Sequence, residues 1–286
     1  MKTTWIKAST GLVALLGYPV EHSLSPRMHN AAFAATGLDL AYLAFAVTAA
    51  GLPAALAGLQ ALGFKGANVT VPHKEAVMRH LDVIEPVAAR IGAVNTIVND
   101  GDRLIGYNTD AGGFLCSLRE AGFDPAGKTA AIIGAGGAAR AVAFALASAG
   151  CAGLTIANRT LARARELAGA MKEQPLPVTA CSLEREALRP LLAGSHLVVN
   201  TTSAGMWPEV NSVPLPTTWL QEGQWVYDLV YNPLETRFLQ ESRQRGCCTV
   251  SGLEMLLYQG AAAFTLWTGK TAPVPVMAAA LREALA

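Results

Sequence analysis

The sequence predicts an α/β protein of two domains, each a sheet wound by helices, with the second doubly wound. Three observations carry this. Strand-like and helix-like segments alternate almost throughout, the pattern of βαβ units and mostly parallel sheets. The 286 residues exceed one ordinary compact core. Near the middle, the glycine-rich turn Gly134-Ala135-Gly136-Gly137 closes an apolar strand and opens a helix, so the second half starts a wound sheet of its own.

In order, Leu12–Gly17 reads as a strand and Pro26–Thr36 as a helix. Pro26 suits a first turn, where its missing N–H costs nothing. Ser23 or Ser25 is expected to cap that helix. Tyr42–Val47 reads as a strand, Pro53–Leu62 as a helix and Ala67–Val71 as a strand. Lys74–Leu81 and Glu85–Ile91 read as helices. Val94–Asn99 and Arg103–Asn108 read as strands joined by Asp100-Gly101-Asp102, a hairpin turn. A helix runs from Ala111, followed by strand Thr129–Ile133, helix Gly137–Ala149, strand Leu154–Ala157 and helix Arg163–Met171. Strands Val178–Ser182, His196–Asn200 and Trp225–Val230 lead to helix Glu235–Gln244 and strand Cys248–Val250. Leu253–Trp267 and Val274–Leu285 close the chain as helices. Two tandem α/β domains imply a cleft between them as the ligand site.

Composition narrows the function. Hydrophobic residues make up 52% and charged residues 15%, which describes a packed globular protein rather than a disordered one. The net charge of +1 leaves no electrostatic footprint for nucleic acid or an anionic membrane. Cysteines 116, 151, 181, 247 and 248 form no C-x-x-C pair, so neither a disulfide framework nor a metal site follows. Free thiols in a reducing compartment are expected. Lys2 and Lys7 precede a short apolar run, Leu12–Leu16, which Pro19, Glu21 and His22 end too early for a signal peptide. Ala141–Ala149 and Leu253–Trp267 are too short or too polar to span a bilayer, so a cytoplasmic location is expected.

The turn in Gly134-Ala135-Gly136-Gly137-Ala138-Ala139-Arg140 lets backbone approach a pyrophosphate, and the helix behind it offers free N–H groups and a positive dipole end. The strand Leu154–Ala157 ends in Asn158-Arg159-Thr160. An NAD site would place an acid there for the ribose 2′-hydroxyl. Arg159, with Arg163 one helical turn on, suits a 2′-phosphate instead, which favours NADP. Arg165 reads as a solvated helix charge.

Three polar clusters fall near strand ends in the first half. They are Ser23-Leu24-Ser25, then Asn68 and Thr70 with Lys74 just beyond, and Asn95-Thr96 with Asn108-Thr109-Asp110. Singly, such residues mark turns and caps. Together they suit a ligand with several hydroxyls and one carboxylate. No nucleophile elbow is present, so hydrolysis is disfavoured. Hydride transfer to a ketone develops negative charge on oxygen, and Lys74 beside Asp110 would stabilise it and supply the proton.

SLSP, NVTVPHKE, GAVNT, GYNTDAGGF, GAGGAAR, NRT, NTTSAGM, DLVYNP and GLEMLLYQGAAAFTLWTG, in this order, resemble the motif series of the shikimate dehydrogenase family, from about Gly17 to Gly269. The resemblance implies a substrate domain over 1–110 and 253–286, completed by the C-terminal helices, and a Rossmann-type NADP-binding domain over 111–252. It implies reduction of 3-dehydroshikimate to shikimate with NADPH, on the route to aromatic amino acids, by a monomer or homodimer. Lys74 and Asp110 match its catalytic pair. Ser23 and Ser25, with Tyr231 nearby, match the groups for the substrate carboxylate, and Asn68, Thr70, Asn95 and Gln259 those for the ring hydroxyls. Gly134, Ala135, Gly136, Gly137 and Ala138 match the pyrophosphate turn, and Asn158, Arg159, Thr160 and Arg163 the 2′-phosphate clamp. Thr202, Ser203, Met206, Gly252 and Met255 are expected to line the cofactor pocket, while Tyr258 and Trp267 read as packing. Two positions depart from the family pattern: His73 occupies a variable position and is expected to point away from the site, and Ala111 replaces a commoner glycine. The retained Ser-Leu-Ser and the arginines favour shikimate and NADP over a quinate enzyme using NAD. Lys74 and Asp110 argue against a catalytically silent regulatory relative.

Overall fold

A computed structural model describes residues 6–285. Residues 1–5, with Lys2, and Ala286 lie outside them. In chain order the elements are β1 (Gly11–Gly17), α1 (Ser25–Ala35), β2 (Leu40–Ala46), α2 (Leu52–Ala61), β3 (Gly66–Val69), a 3₁₀ turn (Ala76–His80), β4 (Val83–Ile84), α3 (Pro86–Ile91), β5 (Thr96–Asn99), β6 (Leu104–Tyr107) and α4 (Asp110–Glu120). Next come β7 (Thr129–Ile133), α5 (Gly137–Ser148), β8 (Gly153–Ala157), α6 (Leu161–Ala170), β9 (Val178–Cys181), α7 (Arg185–Ala193), β10 (Leu197–Asn200), a 3₁₀ turn (Thr217–Trp219), β11 (Trp225–Asp228), α8 (Arg237–Gln244) and β12 (Cys248–Ser251). Helices α9 (Leu253–Thr268) and α10 (Val274–Leu285) end the chain. The chain divides into a first unit, up to Gly113 and from Leu257 onward, and a second, Phe114–Leu256.

The first unit holds a six-stranded sheet ordered β2-β1-β3-β5-β6-β4. Strand β1 pairs in parallel with β2 and β3. The hairpin at Asp100–Asp102 sets β5 antiparallel to both its neighbours. Leu52, Leu56 and Leu59 of α2 pack on Ala14, Leu16, Ala67, Val69 and Ile97 of the sheet. These leucines recur at helical spacing, which turns one face of α2 onto the strands.

The second unit holds a six-stranded sheet ordered β12-β11-β10-β7-β8-β9, with every pair parallel. Its first strand, β7, lies in the middle, so the winding reverses there. Open sheets bind ligands beyond the carboxyl ends of strands at such a point. Every residue of α5 from Ala139 to Ala147 is buried, as expected of a helix that is apolar nearly all round.

Two local readings change, and two elements carry no reading in the sequence. Lys74–Leu81 is not an α-helix: the Lys74 carbonyl accepts from Val94 N–H at 2.8 Å instead of from its own helix, leaving one 3₁₀ turn. No serine occupies the cap position of α1. Leu24 does, while Ser23 Oγ accepts from Ser25 N–H at 3.3 Å. Strand β4 is two residues long and lacks the length that marks a strand in sequence. Helix α7 escapes a sequence reading because Pro190 lies inside it, and Pro reads as a breaker. Burial of Leu188 and Leu192 outweighs the lost N–H.

Candidate functional site

In the first unit, loops at the carboxyl ends of β1 and β3 run together. Tyr18 N–H bonds the Val71 carbonyl, and Thr70 N–H bonds the Leu16 carbonyl. A Cβ on Gly17 would sit 2.3 Å from Thr70 Cγ2, so this approach requires glycine. The Ser23–Ser25 turn follows β1, and Lys74 follows β3. The bond from Val94 N–H to the Lys74 carbonyl ties the lysine's turn to the segment entering Asn95.

Lys74 Nζ donates to Asp110 Oδ2 at 2.6 Å, with side-chain exposures of 15% and 5%. Asn95 Nδ2 donates to the other oxygen, Asp110 Oδ1, at 2.8 Å. Each carboxylate oxygen therefore has its own donor, which fixes the plane of the group. A sequence reader would make Asp110 the cap of α4. Asn108 takes that work: its Oδ1 accepts from Asp110 N–H at 3.1 Å and Ala111 N–H at 3.3 Å, leaving the Asp110 carboxylate to Lys74. Ala111 sits comfortably in the helix, and no non-glycine residue among those described has positive φ.

Gln259 reaches this cluster from α9, its Oε1 3.3 Å from Asn95 Nδ2. A Cβ on Gly113 would lie 2.7 Å from Gln259 N, so Gly113 lets α4 approach α9. Asn68 is buried and bonds Tyr42, Asn95 and Thr96. His73 Nε2 donates to the Val47 carbonyl at 2.6 Å, which commits its ring to the loop after β2. Trp267 Nε1 donates to the Ile97 carbonyl at 2.9 Å as a packing residue. The cluster thus unites Lys74, Asp110, Asn95, Gln259 and Asn68. Ser23, Ser25 and Thr70 stand on the neighbouring loops, and Tyr231 belongs to the second unit.

Under this cluster lies His29, wholly buried, stacked on Tyr42 with ring centroids 4.6 Å apart. Neither ring nitrogen has a hydrogen-bond partner among the described residues. Burial pushes its pKa down to about 3, so the ring is neutral.

In the second unit, the Gly134 turn joins β7 to α5. Gly134 has φ +120°, and a Cβ there would lie 2.3 Å from Thr201 Oγ1. At Gly136 a Cβ would meet open space, and no side chain caps α5. Free backbone N–H groups at an open helix start fit a pyrophosphate. Ala135 is buried and Ala138 partly so. Arg140 is buried and pairs with the exposed carboxylate of Glu166. Asn158 Nδ2 bonds the Thr160 carbonyl at 2.9 Å, shaping the loop that leaves Arg159 exposed; Arg163 is exposed on α6.

Asp228 organises the loops beyond β10 and β11. It accepts from Thr236 Oγ1 at 2.6 Å, Asn200 Nδ2 at 2.9 Å and Val230 N–H at 3.1 Å. Burial nevertheless pushes its carboxyl up to about 6. Asn200 Oδ1 in turn accepts from Thr202 N–H and Oγ1, placing the Thr202–Ser203–Met206 loop, where Ser203 and Met206 are exposed. Gly252 lets β12 turn against β11: a Cβ there would lie 2.1 Å from the Leu229 carbonyl oxygen. Met255 is buried. Sequence reading misses Asn108 as a cap and Tyr42 altogether. The Asn-x-Asp spacing before a helix signals the first, and nothing local signals the second.

Residues 15–97 match the family described as the shikimate dehydrogenase substrate binding domain, 118–207 shikimate/quinate 5-dehydrogenase, and 252–282 the shikimate 5′-dehydrogenase C-terminal domain. A shikimate dehydrogenase (NADP⁺) from Moorella thermoacetica is 67% identical over 281 residues, covering 98% of this chain and 95% of the relative. A crystal structure of a shikimate dehydrogenase in complex with NADP⁺ superposes with a TM-score of 0.90 at 42% identity, over 99% of this chain and 98% of that one. The Thermus thermophilus enzyme in complex with NADP(H) and shikimate superposes at 0.85 with 42% identity, over 96% of this chain and 100% of that one.

Proposed function

This chain belongs to the shikimate dehydrogenase family, and on that premise we propose that it catalyses the reversible, NADPH-dependent reduction of 3-dehydroshikimate to shikimate. The observation that carries the reading is the desolvated Lys74–Asp110 pair, 2.6 Å apart, with Asn95 on the second carboxylate oxygen.

NADPH supplies the hydride when bound. Gly134, Ala135, Gly136, Gly137 and Ala138 would hold its pyrophosphate, and Arg159 and Arg163, with Asn158 and Thr160, its 2′-phosphate. Thr202, Ser203, Met206, Gly252 and Met255 would border the remainder. In this reading, the unit up to Gly113 with the returning helices binds substrate and Phe114–Leu256 binds NADP(H). The hydroxyls of Ser23 and Ser25, with Tyr231, take the substrate carboxylate. Asn68, Thr70, Asn95 and Gln259 take the ring hydroxyls. As negative charge develops on the carbonyl oxygen, the Lys74 ammonium stabilises it, and the Lys74–Asp110 pair supplies the proton. Asp110 aims the lysine, and Asn95 holds Asp110. Among the described residues no helix is long and apolar enough to cross a membrane. We place the enzyme in the cytoplasm as a monomer or homodimer acting on small molecules.

The test follows reduced-nicotinamide absorbance with shikimate or quinate and NADP⁺ or NAD⁺. Turnover of shikimate with NADP⁺ well above the other three combinations supports the reading. Equal turnover of quinate, or with NAD⁺, assigns the dual-specificity branch instead. No turnover of either substrate overturns the assignment of the polar cluster.

A further inference from the structure

Hydrogen-bond direction runs one way through the floor of the first unit's polar cluster. The Asn95 main-chain carbonyl can only accept, and Asn68 Nδ2 lies 3.1 Å from it. The Asn68 amide nitrogen must face that carbonyl, so its Oδ1 faces the Tyr42 hydroxyl, 2.7 Å away, and Tyr42 must donate. Asn68 Nδ2 also donates to Thr96 Oγ1 at 3.1 Å. Thr96 is thereby an acceptor there, and its own proton goes either to Asn95 Oδ1 at 3.1 Å or to Thr109 Oγ1 at 3.2 Å, whose proton then reaches Asn95 Oδ1 at 3.2 Å, so a hydroxyl proton arrives at that oxygen by either route. At the far end the Thr109 main-chain N–H, which can only donate, lies 2.7 Å from Asn95 Oδ1. The oxygen of the Asn95 amide is pinned from two sides, and its nitrogen is turned onto Asp110 Oδ1 at 2.8 Å. The chain reads Tyr42 to Asn68 to Thr96, directly or through Thr109 to Asn95, and on to Asp110, each group donating to the next. Asn68, Asn95 and Thr96 are buried, and the Tyr42 ring is held by its stack on His29.

We propose that Tyr42 and Thr96 are positioning residues: their hydroxyls fix the Asn68 and Asn95 amides so that an N–H, rather than a carbonyl oxygen, meets the Asp110 carboxylate that aims Lys74. A flipped Asn95 amide would set two oxygens face to face and turn the carboxylate off the lysine. Bonds aligned in one direction also polarise one another toward the charged end of the chain. The inference rests on the proposed role of Lys74 and Asp110.

The test uses the full-length enzyme with shikimate and NADP⁺, comparing Thr96→Val, Thr96→Ser and Tyr42→Phe. Thr96→Val keeps the shape and removes the hydroxyl. It is expected to lower kcat per folded molecule about 10-fold, the scale of one hydrogen bond in a charged network, with KM for NADP⁺ nearly unchanged. Thr96→Ser restores the hydroxyl and is expected to recover most of the rate. Tyr42→Phe keeps the ring on His29 and is expected to shift kcat in the same direction by less. Unfolding midpoints measured alongside separate a packing defect, which lowers the midpoint without changing the rate of the folded fraction. The proposal is overturned if Tyr42→Phe leaves kcat unchanged, or if Thr96→Ser is as slow as Thr96→Val. Should Thr96→Val not fold, Tyr42→Phe alone decides. Failure of the underlying assignment looks different: the unsubstituted enzyme would then not turn over shikimate at all.

Discussion

The two units solve different problems with different material. In the first, the groups assigned to the reaction are side chains, buried except for the partly buried Lys74 and bonded to one another: Lys74 to Asp110, Asp110 to Asn95, Asn95 to Gln259. In the second, the surface proposed for the pyrophosphate is backbone at the start of α5, where no side chain caps the helix, and two of the side chains proposed for the cofactor, Arg159 and Ser203, are exposed. Proton transfer needs atoms placed to a fraction of an ångström and shielded from water. A pyrophosphate needs only converging N–H groups and cations free to close on it. The buried titratable groups contrast as well. Burial holds His29 of the first unit neutral by lowering its pKa, and raises that of Asp228 in the second.

Breaking the first unit's chemistry should have the largest effect. Lys74→Ala is expected to lower kcat by roughly 10²–10⁴-fold while NADPH binding stays nearly intact. Steady-state rates with fluorescence titration of NADPH check this, and an unchanged kcat removes Lys74 from the mechanism.

Stability against pH probes the two buried groups next. His29 has its folded pKa depressed from 6.5 to about 3, so between those values the unfolded chain binds the extra proton and stability falls as pH drops. The full effect is roughly 4–5 kcal/mol. Urea unfolding of His29→Phe at stepped pH should show a flatter acid limb than the parent, and an identical limb would mean His29 is not the group titrating. Asp228 works the other way. Its folded pKa is raised from 3.8 to about 6, so its contribution is complete below 3.8 and is lost as pH rises through about 6. The loss is roughly 3 kcal/mol. Asp228→Asn should remove that decline, and a decline that persists assigns it elsewhere.

The smallest effect tests the second unit's clamp. Arg159→Ala is expected to weaken NADPH roughly 10–100-fold, the scale of a charge-assisted bond, and to leave NADH almost unaffected. Equal loss for both cofactors, measured by titration, would place the 2′-phosphate elsewhere.

Much of this architecture is legible without coordinates. The run Thr129–Ile133, the glycine turn and the helix after it carry their own local signals, and the structure gives that strand the same bounds. The absence of an acid after β8 is likewise a fact of sequence. Lys74 and Asp110 can be named as candidates from residue type and position near strand ends. Where the reading fails, a distant partner overrides a local preference. Lys74–Leu81 has helical composition, but Val94 takes the Lys74 carbonyl. Pro190 reads as a stop, but the core takes Leu188 and Leu192.

By itself, then, the sequence determined the order and kind of most elements, the glycine turn between β7 and α5 and the residue types available to the candidate site. Each of these depends on propensity, periodicity and spacing over stretches of ten residues or so. Only the tertiary structure decided that Asn108 rather than Asp110 caps α4, that Asn95 meets Gln259 across 164 residues of chain, and that Tyr42 underlies Asn68. An amide or a hydroxyl can donate or accept. Which it does is settled when folding brings it against groups with no such choice, the Asn95 carbonyl and the Thr109 N–H.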